Sequence, residues 1–153
     1  MNFAPLRALF ILLSLLVIPA GPGFAQDEAS EAETAALPAI LDSRVTSTGE
    51  RARLVLDITA PTEFAIYTLA APDRVVVELR AQSGAGGEAQ VAGEGLVSDY
   101  AITPAGPERV RVEMALTAPA RVQQSYILEA FEDQPARLVI DLIPDTVENF
   151  AAN

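Results

Sequence analysis

From Glu50 the chain reads ERARLVLDITAP, with apolar and polar side chains in alternation. On an extended backbone Leu54, Leu56 and Ile58 point one way, while Arg51, Arg53, Val55 and Asp57 point the other. A close relative, ERVRVEMALTAP, starts fifty-eight residues later at Glu108 and is identical at six of twelve positions. It alternates in the same sense: Val110, Val112, Met114 and Leu116 against Arg109, Arg111, Glu113 and Ala115. Both copies end in Thr-Ala-Pro. Pro61 and Pro119 have no N–H to give to a ladder, so each stops a strand.

The repetition runs further. EFAIYTLAA and RVQQSYILEA follow the two motifs, and each reads as a hairpin partner. A third pair of strands closes each half. Arg74-Val75-Val76-Val77-Glu78-Leu79 matches Arg137-Leu138-Val139-Ile140-Asp141-Leu142 at an offset of sixty-three, so the second half has the longer middle. Leading strands fit at Ile40–Ser47 and Leu96–Thr103, which makes four strands per half. The predicted fold is an all-β, two-sheet β-sandwich built from an internal duplication, with repeats at about 40–80 and 95–143. Each repeat is expected to build one sheet, because a single sheet cannot bury its apolar face alone. AQSGAGGEAQVAGEG, between the halves, reads as a flexible crossover; it lacks the Gly-Lys-Ser/Thr ending and following helix of a phosphate-binding loop.

The flanks differ in character. MNFAPLR, then the apolar run ALFILLSLLVI, then small residues at Gly23 and Ala25, has the anatomy of a secretory signal peptide over residues 1–25. The run is too short for a spanning helix, which needs about 20 apolar residues. Residues 26–39 read as an acidic flexible linker, 40–143 as the domain and 144–153 as a tail. After Ala25 the chain carries twenty-one acidic residues against nine arginines and no lysine, a formal charge of −12. Such a surface repels nucleic acid and anionic lipid, which bind mainly through cations. With no cysteine, an exported domain must rely on a hydrophobic core rather than disulfides.

The chain has no histidine and no cysteine, which removes His-dependent triads, thiol nucleophiles and the imidazole or thiolate ligands of most zinc sites. Asp57, Glu78 and Asp141 lie on strand faces beside arginines and read as half-exposed ion pairs rather than a catalytic acid pair. Asp99 reads as a strand-end cap rather than a calcium ligand. The expectation is a non-enzyme without metal or cofactor.

The motifs at 51–58, the tyrosine-bearing strand around Tyr67, PDRVVVEL at 72–79 and PARLVIDL at 135–142 together resemble the AMIN domain. That resemblance implies a sandwich of two symmetric sheets. It also implies a non-catalytic, periplasmic module that binds peptidoglycan and localises cell-wall amidases or secretins, often to the division site. In the amidases a zinc-dependent catalytic domain follows, with histidine and glutamate ligands; here seven residues, VENFAAN, follow Thr146. The expectation is a free-standing module or the front of a longer N-acetylmuramoyl-L-alanine amidase. A different class of function is a protein-interaction module that docks a divisome, secretion or other envelope protein by strand addition. For peptidoglycan, arginines suit the peptide carboxylates and tyrosines suit sugar or peptide faces. The candidate binding residues are Arg53, Arg74, Arg111 and Arg137, which recur at equivalent positions, with Tyr67 and Tyr100.

Overall fold

The structure is a computed structural model that describes residues 36–82, 87–89 and 91–151. The expected signal peptide and residues 26–35 of the expected linker lie outside the described residues, as do parts of the crossover. The first half forms β1 (Ile40–Ser47), β2 (Ala52–Ile58), β3 (Phe64–Leu69) and β4 (Arg74–Arg80). The second half forms β7 (Val97–Gly106), β8 (Arg109–Leu116), β9 (Ala120–Leu128) and β10 (Ala136–Pro144). Two short strands lie in the crossover, β5 (Gly87–Ala89) and β6 (Val91–Ala92). This is the predicted two-sheet, all-β sandwich with four principal strands per repeat.

The expectation that each repeat builds one sheet is wrong. The sheets run β6-β1-β2-β10-β9 and β3-β4-β8-β7-β5, so each combines a hairpin from one repeat with a hairpin from the other. The cause lies at the Thr-Ala-Pro stops. After β2 and after β8 the chain leaves its sheet instead of turning back, and the next strand pairs only forward, β3 with β4 and β9 with β10. That leaves one ladder edge of β2 and of β4 open, and β10 and β8 close them. Two strands alone are marginal in water, whereas four share one buried face. Three of the four central strands, β2, β4 and β10, carry unbroken triplets of Leu, Val and Ile, Leu54-Val55-Leu56, Val75-Val76-Val77 and Leu138-Val139-Ile140, which are buried on both faces.

The core follows the alternation. Leu54, Leu56, Ile58, Val75, Val77, Val110, Val112, Met114, Leu138, Ile140 and Leu142 are fully buried between the sheets. The crossover is pinned as it passes from one sheet edge to the other. β6 adds in parallel to β1, and Leu96 N–H donates to the Thr48 carbonyl at 2.8 Å. Gly93 and Gly95 permit this close pass, with φ of 90° and 157°; a Cβ on either would lie within 2.3 Å of the Ser47 or Thr48 backbone. Beyond β10, Thr146 caps a single helical turn, α1 (Val147–Phe150), which returns Phe150 to a buried position.

Candidate functional site

Both central strands of each sheet present their second face outward, and that is where the duplicated arginines fall. On the first sheet Arg53 of β2 stands directly opposite Asp141 of β10. Arg53 Nε and Nη2 donate to Asp141 Oδ1 and Oδ2 at 2.6 and 2.8 Å, a two-pronged pairing that suits the planar guanidinium. Gln124 Nε2 adds a third bond to Oδ2 at 2.6 Å. The Asp141 side chain is 0% exposed, roofed by an Arg53 side chain that is 42% exposed. The hydrogen bonds from Arg53 hold the Asp141 carboxyl below the ordinary carboxylate range against the upward push of burial, with help from Gln124. Asp141 in return raises Arg53.

The second sheet repeats the arrangement with different parts. Arg111 of β8 stands opposite Glu78 of β4 and gives Nε and Nη2 to one oxygen, Oε1, at 3.0 and 2.7 Å. Tyr67 Oη donates to the same oxygen at 2.9 Å, where the first sheet uses Gln124. Arg111, then Tyr67, lower the Glu78 carboxyl. The Tyr67 hydroxyl is raised, first by burial and then by its bond to Glu78.

The other two candidate arginines lack this two-pronged grip on a carboxylate, although Arg137 Nη2 donates to Gln134 Oε1. Arg137 Nε faces Asp57 Oδ1 at 3.4 Å, too oblique for a hydrogen bond, and both atoms are buried. The equivalent of Asp57 in the second repeat is Ala115, so Arg74 reaches instead to Glu113 at 3.4 Å. Between the pairs lie Val55 and Val139 on one face and Val76 on the other, buried beneath these side chains although they point outward.

Five of the six candidate residues therefore lie on the two outer faces: Arg53 and Arg137 on one, Tyr67, Arg74 and Arg111 on the other. Tyr100 does not. It is 2% exposed, in register with the core residue Met114, and its hydroxyl is 3.1 Å from Ser43 Oγ on β1. Its ring fills the core, so it has no free face for a ligand. The residue at the place of Tyr67 on the first sheet is Tyr126, opposite Val139 as Tyr67 is opposite Val76. Tyr126 is 36% exposed, and the shared Tyr-x-Leu of the two edge strands was its signal in the sequence.

A concavity of 190 Å³ lined by Glu63, Phe64, Ala65, Glu78, Arg80 and Arg109 lies on the second face, and two more adjoin these faces. One, of 390 Å³, opens between the edge strands β3 and β9 and is lined by Ile66, Tyr67, Thr68, Arg121 and Val122. The other, of 280 Å³, is lined by Thr46, Thr48, Arg51 and Arg53 at the end of the β1–β2 hairpin. Among the described residues no group of three His, Cys, Asp or Glu side chains could hold a metal ion, and no helix is long and apolar enough to cross a membrane.

A duplicated sandwich with exchanged hairpins and an arginine–carboxylate network on each outer face is a scaffold that offers broad surfaces. The chain belongs to the AMIN domain family, whose sequence profile matches residues 42–142. A comparison with curated proteins returned no match.

Proposed function

We propose that this protein is a periplasmic, non-catalytic module that binds peptidoglycan and so localises itself or a protein joined to it. The observation that carries the reading is membership of the AMIN family, a peptidoglycan-targeting module of amidases and secretins. The outer faces support it chemically. Each presents guanidinium edges for peptide carboxylates and a partly exposed tyrosine, Tyr67 or Tyr126, for apolar sugar or peptide surfaces. Sedimentation of the purified protein with isolated sacculi tests it. The expected result is co-sedimentation; protein left in the supernatant at both low and physiological salt sinks the reading.

A second reading has its own observation. β3 and β9 are open edge strands; β9 exposes Leu128 at its end, and the β9–β10 loop exposes Phe131, which is 73% accessible. An envelope protein, such as a divisome or secretion component, could add a strand there. Recovery of a stoichiometric protein without muropeptides from an envelope extract would favour it.

A further inference from the structure

The two outer faces share a scaffold but not a charge balance. On the second sheet Arg109 and Arg111 are answered by two carboxylates: Glu78 at 3.9 and 2.7 Å, and Glu113 at 3.7 Å from Arg111. Their counterparts on the first sheet are Arg51 and Arg53. There Asp141 stands for Glu78, but Val55 occupies the place of Glu113, so two guanidiniums share one acid. That acid is already committed, with both oxygens taken by Arg53 and Gln124. Arg51 makes no ion pair among the described residues; its Nη2 reaches only the Gln123 amide oxygen, at 3.4 Å. Arg121, likewise without an ion pair among the described residues, lies two residues from Gln123 on β9.

The surplus cation does not lie on a flat surface. Arg51 and Arg53 line the 280 Å³ pocket together with Thr46 and Thr48, and among the described residues no carboxylate lines it. Thr48 Oγ1 is used by the turn, accepting from Glu50 and Arg51 N–H and donating to the Arg51 carbonyl. The Thr46 hydroxyl remains available beside Arg51 and the unused Nη1 edge of Arg53. In a chain carrying a large negative charge, a pocket lined by two guanidiniums and a hydroxyl, beside an acid whose oxygens are already taken, selects an anion. Planar donor edges favour a carboxylate.

We propose that this pocket receives a carboxylate of the peptidoglycan stem peptide, which makes the first sheet's face the wall-contacting one. The inference rests on the wall-binding reading above. It is tested by sedimentation with native sacculi and with sacculi whose carboxyls have been amidated. Amidation removes charge repulsion against an acidic protein, so non-specific binding would rise; the proposal requires binding to fall. Arg51→Gln should weaken binding to native sacculi about tenfold, the worth of a hydrogen bond to a charged group. Thr46→Val should weaken it in the same direction. Arg109→Gln, the matching change on the other sheet, should leave it unaltered. Thermal melts of all three variants, expected to overlay the parent, separate lost binding from lost fold. If native and amidated sacculi bind alike, or Arg51→Gln binds as the parent does, the carboxylate site is wrong while wall binding stands. If the parent does not sediment at all, the wall-binding reading fails and takes this site with it.

Discussion

Asp141 is the residue on which local chemistry and stability meet most closely. A fully buried carboxylate is tolerated because Arg53 and Gln124 satisfy it, and removing Arg53 would leave that charge nearly bare. Arg53→Ala should therefore cost about 3 kcal/mol in urea unfolding. Arg111→Ala should cost less, since Glu78 is partly solvated and keeps Tyr67. Acid has a related effect. Asp141, Glu78 and Asp145 all have folded-state values below their ordinary 3.8, 4.5 and 3.8. Their stabilisation is complete above those ordinary values and is lost as pH falls through the lower folded values. Unfolding free energy should decline below about pH 4, with a shallower decline in Asp141→Asn. That these side chains face outward was legible from alternation alone. Their partners were not, because a period of two assigns a face but names no neighbouring strand. Tyr100 shows the same limit: it shares its face with Ile102, and only the pairing with Met114 identifies that face as the core.

Among the elements, the leading strand was legible to the residue at Ile40–Ser47, and both Thr-Ala-Pro stops end strands as expected. The choice of sheet partner was harder to read. Unbroken triplets of Leu, Val and Ile in β2, β4 and β10 were the available hint that these strands lie centrally, with both faces covered. The crossover was read as flexible, yet residues 91–95 are fitted closely against the end of β1. Glycine-rich composition indicates freedom in an isolated chain, but here the missing side chains serve close approach. Gly95→Ala would put a Cβ 2.0 Å from the Thr48 carbonyl carbon and should lower stability by about 2 kcal/mol or more. Gly49→Ala, with open space around it, should be nearly neutral. Thermal denaturation of the pair separates packing from loss of glycine as such.

For the whole molecule, exchange of hairpins makes the halves interdependent. A chain ending near Gln82 would hold two separate hairpins, β1–β2 and β3–β4, that belong to different sheets. Residues 36–82 and 91–151 should each be largely unstructured alone by far-UV circular dichroism, and mixing them should restore the sheet signal. The duplication was thus legible as a source of apolar surface, while the way it is shared depends on which ladder edges the Thr-Ala-Pro stops leave open. The difference between the faces was in the sequence too, as Val55 against Glu113, but it acquired meaning only once Asp141 and Glu78 were known to be equivalent partners.

The order β1-β2-β10 has a mechanical consequence. β1 and β10 both run antiparallel to β2, so the chain comes in at Ile40, level with Ala136, and leaves past Leu142, level with Ser47. These points are roughly 20 Å apart along the strands, at about 3.3 Å per residue. Tension applied across them would pull along the strand axes and load the hydrogen bonds of two ladders together, in shear, instead of peeling them one at a time. A sheet strung this way resists a pull applied at Ile40 and Leu142 better than one whose terminal strands unzip in turn.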